Sequence, residues 1–426
     1  MKSIQLLAFF VCLSAVAAVE EIYHWKKLDY DNLPIKENAF IGKYPYYIPE
    51  NNALMGVCHH SASGLTLVTV PRTRPGIPST LNAFCTTDYH PGTSPCPWGF
   101  PSYDKNTLKP HFYDGITAKD DYSIISVFSP IIHDECHRFY ALDTGVLEYG
   151  PDGYYKVQNP AILVYQLGPD SCKTRHFPLI KRIEIPSFVY KNPTGFMHIH
   201  VDQKPYGKCD DVILYMPNSY DNCLVVHDFK SGKFWTVSDP SMAPVQAESQ
   251  ITYNGYYYKI PMGISAVSVV GQSHGHHYPR IYYTSVASFG VYTVPRDLVW
   301  NPSTVYNTSD FQLQGYRGCN SQSFYQLIDS NTNAMFLQQM IGNEVRCWNV
   351  KNRLNSDNVE TIFKGENGAM VSDITIDSSG YIWFFSGQAF SNYASDIPMN
   401  IHSVNTRLYR AKVTDVIHGT KCAPHY

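Results

Sequence analysis

The sequence predicts an all-β fold, a single six-bladed β-propeller over residues 19–426, and three observations carry that expectation. The first is composition: 33 tyrosines, 27 glycines and 28 prolines stand in a 426-residue chain of which only 16% is charged. Tyrosine suits pleated surfaces and glycine and proline make turns, while so few charges leave little for long solvent-facing amphipathic helices. The second is a loosely repeated unit: an alternating apolar strand, a polar Asp/Ser/Gly turn, a second alternating strand and, after a variable gap, a third. The third is the lack of any Ser/Gly-rich or charged run of the kind that would link two domains, which counts against a pair of β-sandwiches.

Taken in order, the first unit runs Leu54–Cys58, turns at His60–Gly64 and returns as Leu65–Val70, with Leu81–Cys85 as its third strand. The second has Ile124–Phe128, a turn around Asp134–His137, Phe139–Leu142 and Ile162–Leu167. The third has Met197–Val201, a loop through Gly207–Cys209, Val212–Met216 and Cys223–Asp228. The fourth has Ile264–Val270, a loop Gly271–Pro279, Ile281–Ser285 and Val291–Val294. Phe324–Ile328, Ala334–Leu337 and Val345–Trp348 form the fifth around a turn at Asp329–Asn331. Ser372–Ile376, a turn at Asp377–Gly380, Tyr381–Phe385 and Leu408–Val413 form the sixth. Six units over about 380 residues come to about 63 each. One such sheet cannot bury both its faces, whereas radial stacking of six covers every one.

Residues 1–18 read as a secretory leader. Lys2 is basic, Ile4–Leu13 is apolar, and Ala15-Val16-Ala17-Ala18 supplies small residues for cleavage, a stretch too short for a membrane span. No later stretch approaches the roughly 20 apolar residues of a spanning helix. Of eleven cysteines, Cys12 leaves with the leader, and the even remainder in an exported chain favours disulfides, with connectivity left open. Asn307-Thr308-Ser309 is the glycosylation acceptor, since Asn192 and Asn301 are each followed by proline. With 33 basic against 36 acidic residues there is no field for nucleic acid or an anionic membrane.

Motifs for several chemistries are missing: no GxSxG elbow, no HExxH, no P-loop and no dinucleotide fingerprint. Nucleophilic catalysis has no support, and no cofactor is expected. Three histidine groups invite a metal reading. His198, His200 and Asp202 share one face of an extended strand, His133, Glu135 and His137 share another, and His274, His276 and His277 crowd one loop. The plainer reading is preferred for each: a hydrogen-bonded strand histidine in the first, a solvated turn in the second, a Gly/Ser/Pro-rich loop in the third. No metal site is expected.

Landmarks along the whole chain carry a resemblance. Trp25-Lys-Lys-Leu28, Val70-Pro-Arg72, Gly76-Ile-Pro-Ser-Thr-Leu81, Cys136-His-Arg138 before Asp143-Thr-Gly145, Gly315-Tyr-Arg-Gly318, Cys347-Trp-Asn349, Ser372-Asp373, Trp383-Phe384 and Gly419-Thr-Lys-Cys422 occur in order. Together they resemble the insect yellow / major royal jelly protein family. The resemblance implies a six-bladed propeller, a secreted protein, and Cys136–Cys209 and Cys347–Cys422 as disulfides, with six cysteines unassigned. It leaves function divided among melanin patterning with dopachrome conversion, salivary sequestration of biogenic amines, and nutrition, because fold membership does not decide chemistry.

The resemblance also implies a site. A propeller's axial channel is its default ligand pocket, and an aromatic amine or indole needs apolar walls and a few orienting polar groups. The family's amine binders use two stretches of the last blade. In the first, Met370-Val-Ser-Asp373, Ser372 stands where they have threonine and Met370 where they have phenylalanine. In the second, Ser386-Gly-Gln-Ala-Phe390, this chain is one residue longer and lacks their asparagine; Phe390 keeps the aromatic and Gln388 replaces the amide. Phe128 matches an aromatic of the second blade. For conversion of a dopachrome-like compound, by tautomerisation or decarboxylation, Asp373 is the candidate base, with Ser372 or Gln388 as donors. The expected role is that of a secreted protein of the melanin or cuticle pathway that binds, or binds and converts, a small catechol- or indole-derived compound. The alternative is a non-catalytic binder of biogenic amines or a structural cuticle component. Oligomeric state is not readable from the sequence.

Overall fold

The computed structural model describes residues 19–110, 122–149, 153–270, 279–366, 368–395 and 397–424; the leader and the loop with His274, His276 and His277 lie outside them. Six antiparallel four-stranded sheets follow one another along the chain. The first four blades begin on inner strands Val57–His60, Val127–His133, His200–Gln203 and Ile264–Val270. The fifth begins on Gln326–Asp329 and the sixth on Met370–Ile376. Each inner strand leads outward by hairpins, and the inner strands of neighbouring blades pack together, the sixth closing against the first. The result is the six-bladed propeller.

The alternation of side chains explains why the strands read as nearly continuous apolar runs. In Val212–Asn218, Val212, Leu214 and Met216 pack towards the second blade with Tyr140 and Val164, while Ile213 and Tyr215 pack towards the fourth with Val267 and Ile281. Successive residues face opposite sides of a sheet, so a strand covered on both sides must be apolar throughout. Each such side chain contributes roughly 1.5–3 kcal/mol on burial.

The structure departs from the sequence reading in three places. Every blade has a fourth strand, as in Leu179–Glu184, Phe234–Val237, Gln312–Tyr316 and Glu360–Lys364. The sixth blade takes its outer strand from the other end of the chain, Glu20–Trp25, which pairs with Thr406–Lys412 and closes the ring. The second inner strand starts at Val127 rather than Ile124, because the Ile125 and Ser126 N–H groups donate to the Asp143 carboxylate at 2.9 Å instead of to a strand, and the first, third and fifth start at Val57, His200 and Gln326 rather than Leu54, Met197 and Phe324.

Disulfides join neighbouring parts of the ring. Cys85–Cys172 ties the first blade to the second, Cys136–Cys209 the second to the third, and Cys347–Cys422 the fifth to the C-terminal segment. Cys58, Cys96, Cys223 and Cys319 are unpaired, so the even count does not translate into five bridges. Asn307 is exposed at the start of a short turn, its N–H donated to the Asp310 carboxylate at 2.8 Å. Among the described residues no helix is long and apolar enough to cross a membrane.

Candidate functional site

The inner strands present methionines and aromatics at one end of the axial channel. Met55, Met197 and Phe324 immediately precede the first, third and fifth inner strands, Phe128 and Met370 stand at the start of the second and sixth, and together they line a pocket whose empty volume, open space at its mouth included, is about 380 Å³. Tyr325, Gln338, Val371, Ser372, Phe390 and Tyr393 complete its lining. Close approach of the blades at the rim depends on Gly56, where an added Cβ would come within 2.2 Å of the Phe128 carbonyl oxygen.

Two additions to the ring build the mouth. The first is the short helix Ala389–Ala394, which brings in Phe390 and Tyr393. The second is the hairpin Gln250–Tyr253 and Tyr256–Lys259. Tyr253 and Tyr258 each meet the Phe390 ring edge-on at 5.4 Å, and the Tyr253 hydroxyl donates to the Gly368 carbonyl at 3.0 Å. Phe324 lies 6.3 Å from Phe390, and Tyr393 meets Phe128 edge-on at 6.1 Å. Such edge and tilted pairs fix ring positions and leave faces for a planar guest.

The polar groups of the lining differ in how they are occupied. Gln338 is fully engaged, accepting from the Phe324 N–H and donating to the Val371 carbonyl, both at 2.7 Å. The Ser372 Oγ is cut off from solvent and has no hydrogen-bond partner. Buried hydroxyls are satisfied as a rule, so an idle one facing a cavity marks where a guest's polar atom fits.

A β-bulge between Ser372 and Ile374 separates this hydroxyl from the carboxylate beside it. Asp373 is the bulge residue, with φ at +54°, a conformation that aspartate tolerates better than most residues. The bulge turns Ser372 into the pocket and Asp373 into the seam of the sixth, first and second blades. There the carboxylate accepts from the Val57 N–H at 3.1 Å, the Ser129 hydroxyl at 3.0 Å and the Ile374 N–H at 2.9 Å. Burial raises its pKa to about 7 against the pull of those donors. Asp373 is fully buried and absent from the pocket lining, so the geometry gives it the work of holding three blades in register.

Of the residues expected at the site, Ser372, Met370, Phe390 and Phe128 therefore meet in one pocket, while Asp373 lies behind it. Gln388 is also outside the lining: it precedes the helix Ala389–Ala394, and its backbone N–H donates to the Asn405 carbonyl at 3.0 Å. Met55, Met197, Phe324, Tyr325 and Tyr393 were not expected; the first three lie in the segments that lead into an inner strand, close to where Met370 opens its own, which is the signal that finds them.

Below the pocket the channel changes character. A second cavity, with an empty volume of about 450 Å³, is lined by Cys58, His59, Asp134, His198 and Thr375 among isoleucines. Burial lowers the pKa of His59 to about 4 and of His198 to about 3. The His198 and His200 Nδ1 atoms and the Thr375 Oγ1 are buried without partners; His200 opens the third inner strand and His198 precedes it. Asp202 points elsewhere, accepting from the Tyr215 hydroxyl at 2.9 Å beside Arg296 at 3.5 Å. In the His133 group, His133 is half-buried with an unpartnered Nδ1, while Glu135 and His137 are exposed. Among the described residues no three of His, Cys, Asp and Glu stand together as a metal-binding set.

The sequence model of the major royal jelly protein family matches residues 125–422, well over half of the chain. The chain belongs to that family. A yellow-related salivary protein of Phlebotomus orientalis is 31% identical over 428 positions, covering 99% of each chain. One from Phlebotomus perniciosus is 29% identical over 427, covering 98% of this chain and 99% of its own. Another from Lutzomyia longipalpis is 25% identical over 406, covering 95% and 94%. Ser372, Phe390 and the disulfides Cys136–Cys209 and Cys347–Cys422 thus sit on a family member's propeller.

Proposed function

We propose that this is a secreted protein that binds a small aromatic amine in the axial pocket without converting it. The observation that carries the reading is the buried, unpartnered hydroxyl of Ser372 in the lining of a pocket that is otherwise mostly apolar and aromatic. Such a site suits a planar ring with one polar substituent directed at the hydroxyl. The yellow-related relatives are named as salivary proteins, and three disulfides together with the leader-like residues 1–18 support export.

Conversion of a dopachrome-like compound in a melanin or cuticle pathway remains the other reading, and it needs a base within reach of the guest. Among the described lining residues none is Asp, Glu or His, and the Asp373 oxygens face the blade seam. This supports binding ahead of catalysis. The test is a calorimetric titration of the secreted protein with tryptamine and dopamine, alongside the rate of dopachrome loss. Saturable 1:1 binding that weakens in Phe390→Ala, with dopachrome loss no faster than with heat-treated protein, is expected. Accelerated loss with an identified single product would overturn the non-catalytic reading.

A further inference from the structure

The first and second blades differ at their outer edges. The fourth strand of the first blade is only Trp98–Gly99, whereas that of the second is the six-residue Leu179–Glu184. Beyond Gly99 the second blade is met instead by residues from 101–105 and 122–124, two segments joined by the Ile124 N–H donating to the Lys105 carbonyl at 2.7 Å. Between them and the blade lies a cleft on the outside of the ring. Its empty volume, open space at its mouth included, is about 720 Å³.

Strand register sets the chemistry of the cleft wall. Arg182 stands opposite Leu163 and Leu179 opposite Tyr165, so these four side chains share the face towards the first blade. Lys181, the next residue along, points the other way and lies 4.8 Å over the Phe229 ring. The apolar part of the wall is firm: Tyr165 and Phe177 pack on Phe100 at 5.2 and 4.4 Å. The Arg182 side chain is 13% exposed, and its guanidinium lies 4.4 Å over the Tyr122 ring. Its one carboxylate neighbour among the described residues is Glu184 at 3.7 Å, beyond hydrogen-bond length, and Glu184 is bonded to the Asn159 amide at 2.6 Å. The buried Asp143 feels the same cation, but it already accepts from the Ile125, Ser126 and Gly145 N–H groups. Lys105, a second cation, lines the cleft from the first-blade side, with Nζ 3.9 Å from the exposed Asp104 carboxylate. An enclosed guanidinium without a hydrogen-bonded acceptor is costly unless something pairs with it.

We propose that this cleft is a second binding site, for a small aromatic carboxylate whose ring lies on the wall of Leu163, Tyr165 and Phe177 and whose carboxylate meets Arg182 and Lys105. The two cations select an anion, and the apolar wall beside them selects one with a ring-bearing body. A guanidinium stacked on Tyr122 is oriented in advance to present two parallel N–H groups to a carboxylate. The site is separate from the axial pocket and does not depend on what that pocket binds. Its charge preference is the reverse of the one an amine site needs, so one aromatic ring carrying an acid or an amine is directed to different places on the molecule.

The experiment uses indole-3-acetate and its uncharged counterpart indole-3-acetamide, titrated calorimetrically into the full secreted protein. The acid is expected to bind at one site with a dissociation constant below about 1 mM, at least about tenfold more tightly than the amide. Arg182→Gln should lose that preference through weaker acid binding. Lys105→Glu changes an exposed side chain and should weaken the acid at least about fivefold, with the amide unchanged within about threefold. If Arg182→Gln does not fold, Lys105→Glu decides alone. Phe390→Ala, which removes an aromatic wall of the axial pocket, should bind the acid within about threefold of the wild type. Failure of the wild type to bind the acid would overturn the proposal, as would equal binding of acid and amide. So would an undiminished preference in either folded charge variant, or loss of acid binding in Phe390→Ala, which would place the acid in the axial pocket. Failure of the amine reading is seen separately, in the titration with tryptamine.

Discussion

The two halves of the axial channel are opposite in chemistry. The upper half, about 380 Å³, is walled by methionines and aromatic rings and contains an idle hydroxyl; the lower, about 450 Å³, is walled by isoleucines, a thiol and imidazoles held neutral by burial. Asp373 stands at the boundary, its charge bearing on Tyr325 above and Cys58 below. The difference teaches that being enclosed does not make a cavity a binding site. The upper half has rings fixed by neighbours outside the channel and a polar atom left for a guest. The lower half has buried titratable groups whose cost the fold bears, so it reports on acid sensitivity rather than on recognition.

The largest effect is expected from cutting the boundary. Asp373→Ala strips partners from the Val57 N–H, the Ser129 hydroxyl and the Ile374 N–H, all buried where three blades meet. It should cost about 2–4 kcal/mol of unfolding free energy, read by urea denaturation with circular dichroism. Asp373→Asn keeps the shape and one acceptor and should cost markedly less. A loss under about 1 kcal/mol in Asp373→Ala would remove the carboxylate from its positioning role.

The next effect falls on the upper half alone. Phe390→Ala removes the ring on which Tyr253, Tyr258 and Phe324 converge. Tryptamine affinity should fall about 10- to 100-fold by calorimetry, since truncating an aromatic anchor at the centre of a site costs roughly 2 kcal/mol or more. The lower half should not respond, which proton NMR of the His198 ring can check. A variant that binds as the wild type does would place the guest elsewhere.

What was legible in the sequence follows the same division between what a segment carries and what the ring imposes. Ile264–Val270 and Tyr381–Gly387 announce themselves because both their faces are largely buried and most of their residues are apolar. Outer strands such as Gln312–Tyr316 and Glu360–Lys364 are polar and part-exposed, so no pattern separates them from loops. Glu20–Trp25 is a strand only because its partner, Thr406–Lys412, lies at the far end of the chain. The pocket was half visible. Ser372, Met370, Phe390 and Phe128 came from resemblance, whereas Met197 and Phe324 looked like ordinary strand residues until ring closure decided which strand ends open onto the channel.

A smaller effect tests the lower half. The His198 pKa is about 3 in the fold, against about 6.5 in an unfolded chain. Between those values the unfolded chain takes a proton that the folded one refuses. The stability this group contributes is therefore present above pH 6.5 and lost as pH falls towards 3, by about 1.4 kcal/mol per pH unit for one histidine. Asp373 acts with the opposite sign, since a raised carboxyl pKa erodes stability as pH rises from about 4 to 7. Comparing His198→Leu with the wild type cancels that contribution, because both proteins contain it. Urea midpoints measured from pH 7 to pH 4 should give a shallower slope for the variant, by close to one proton. Parallel slopes would show that His198 takes a proton in the folded channel and that the lower half is not the sealed compartment its unpartnered imidazoles imply.

The smallest stability effect belongs to Ser372→Ala, and its smallness is the point. Removing a buried hydroxyl usually costs stability because it strands a partner, but the Ser372 Oγ has none, so nothing in the empty protein loses a hydrogen bond. Unfolding free energy should stay within about 0.5 kcal/mol of the wild type or rise slightly, as a desolvated polar atom is replaced by hydrogen. Affinity should nevertheless fall about 3- to 10-fold for a ring bearing a hydroxyl, such as 5-hydroxytryptamine, matching one neutral hydrogen bond. Tryptamine, which lacks that hydroxyl, offers a comparison that separates a bond to the ring substituent from a bond to the indole N–H. A loss confined to 5-hydroxytryptamine assigns Ser372 to the ring hydroxyl, and an equal loss for both assigns it to the indole nitrogen. Unchanged affinity for both, with stability unchanged, would mean that no guest atom meets the hydroxyl and would remove the observation on which the binding reading stands.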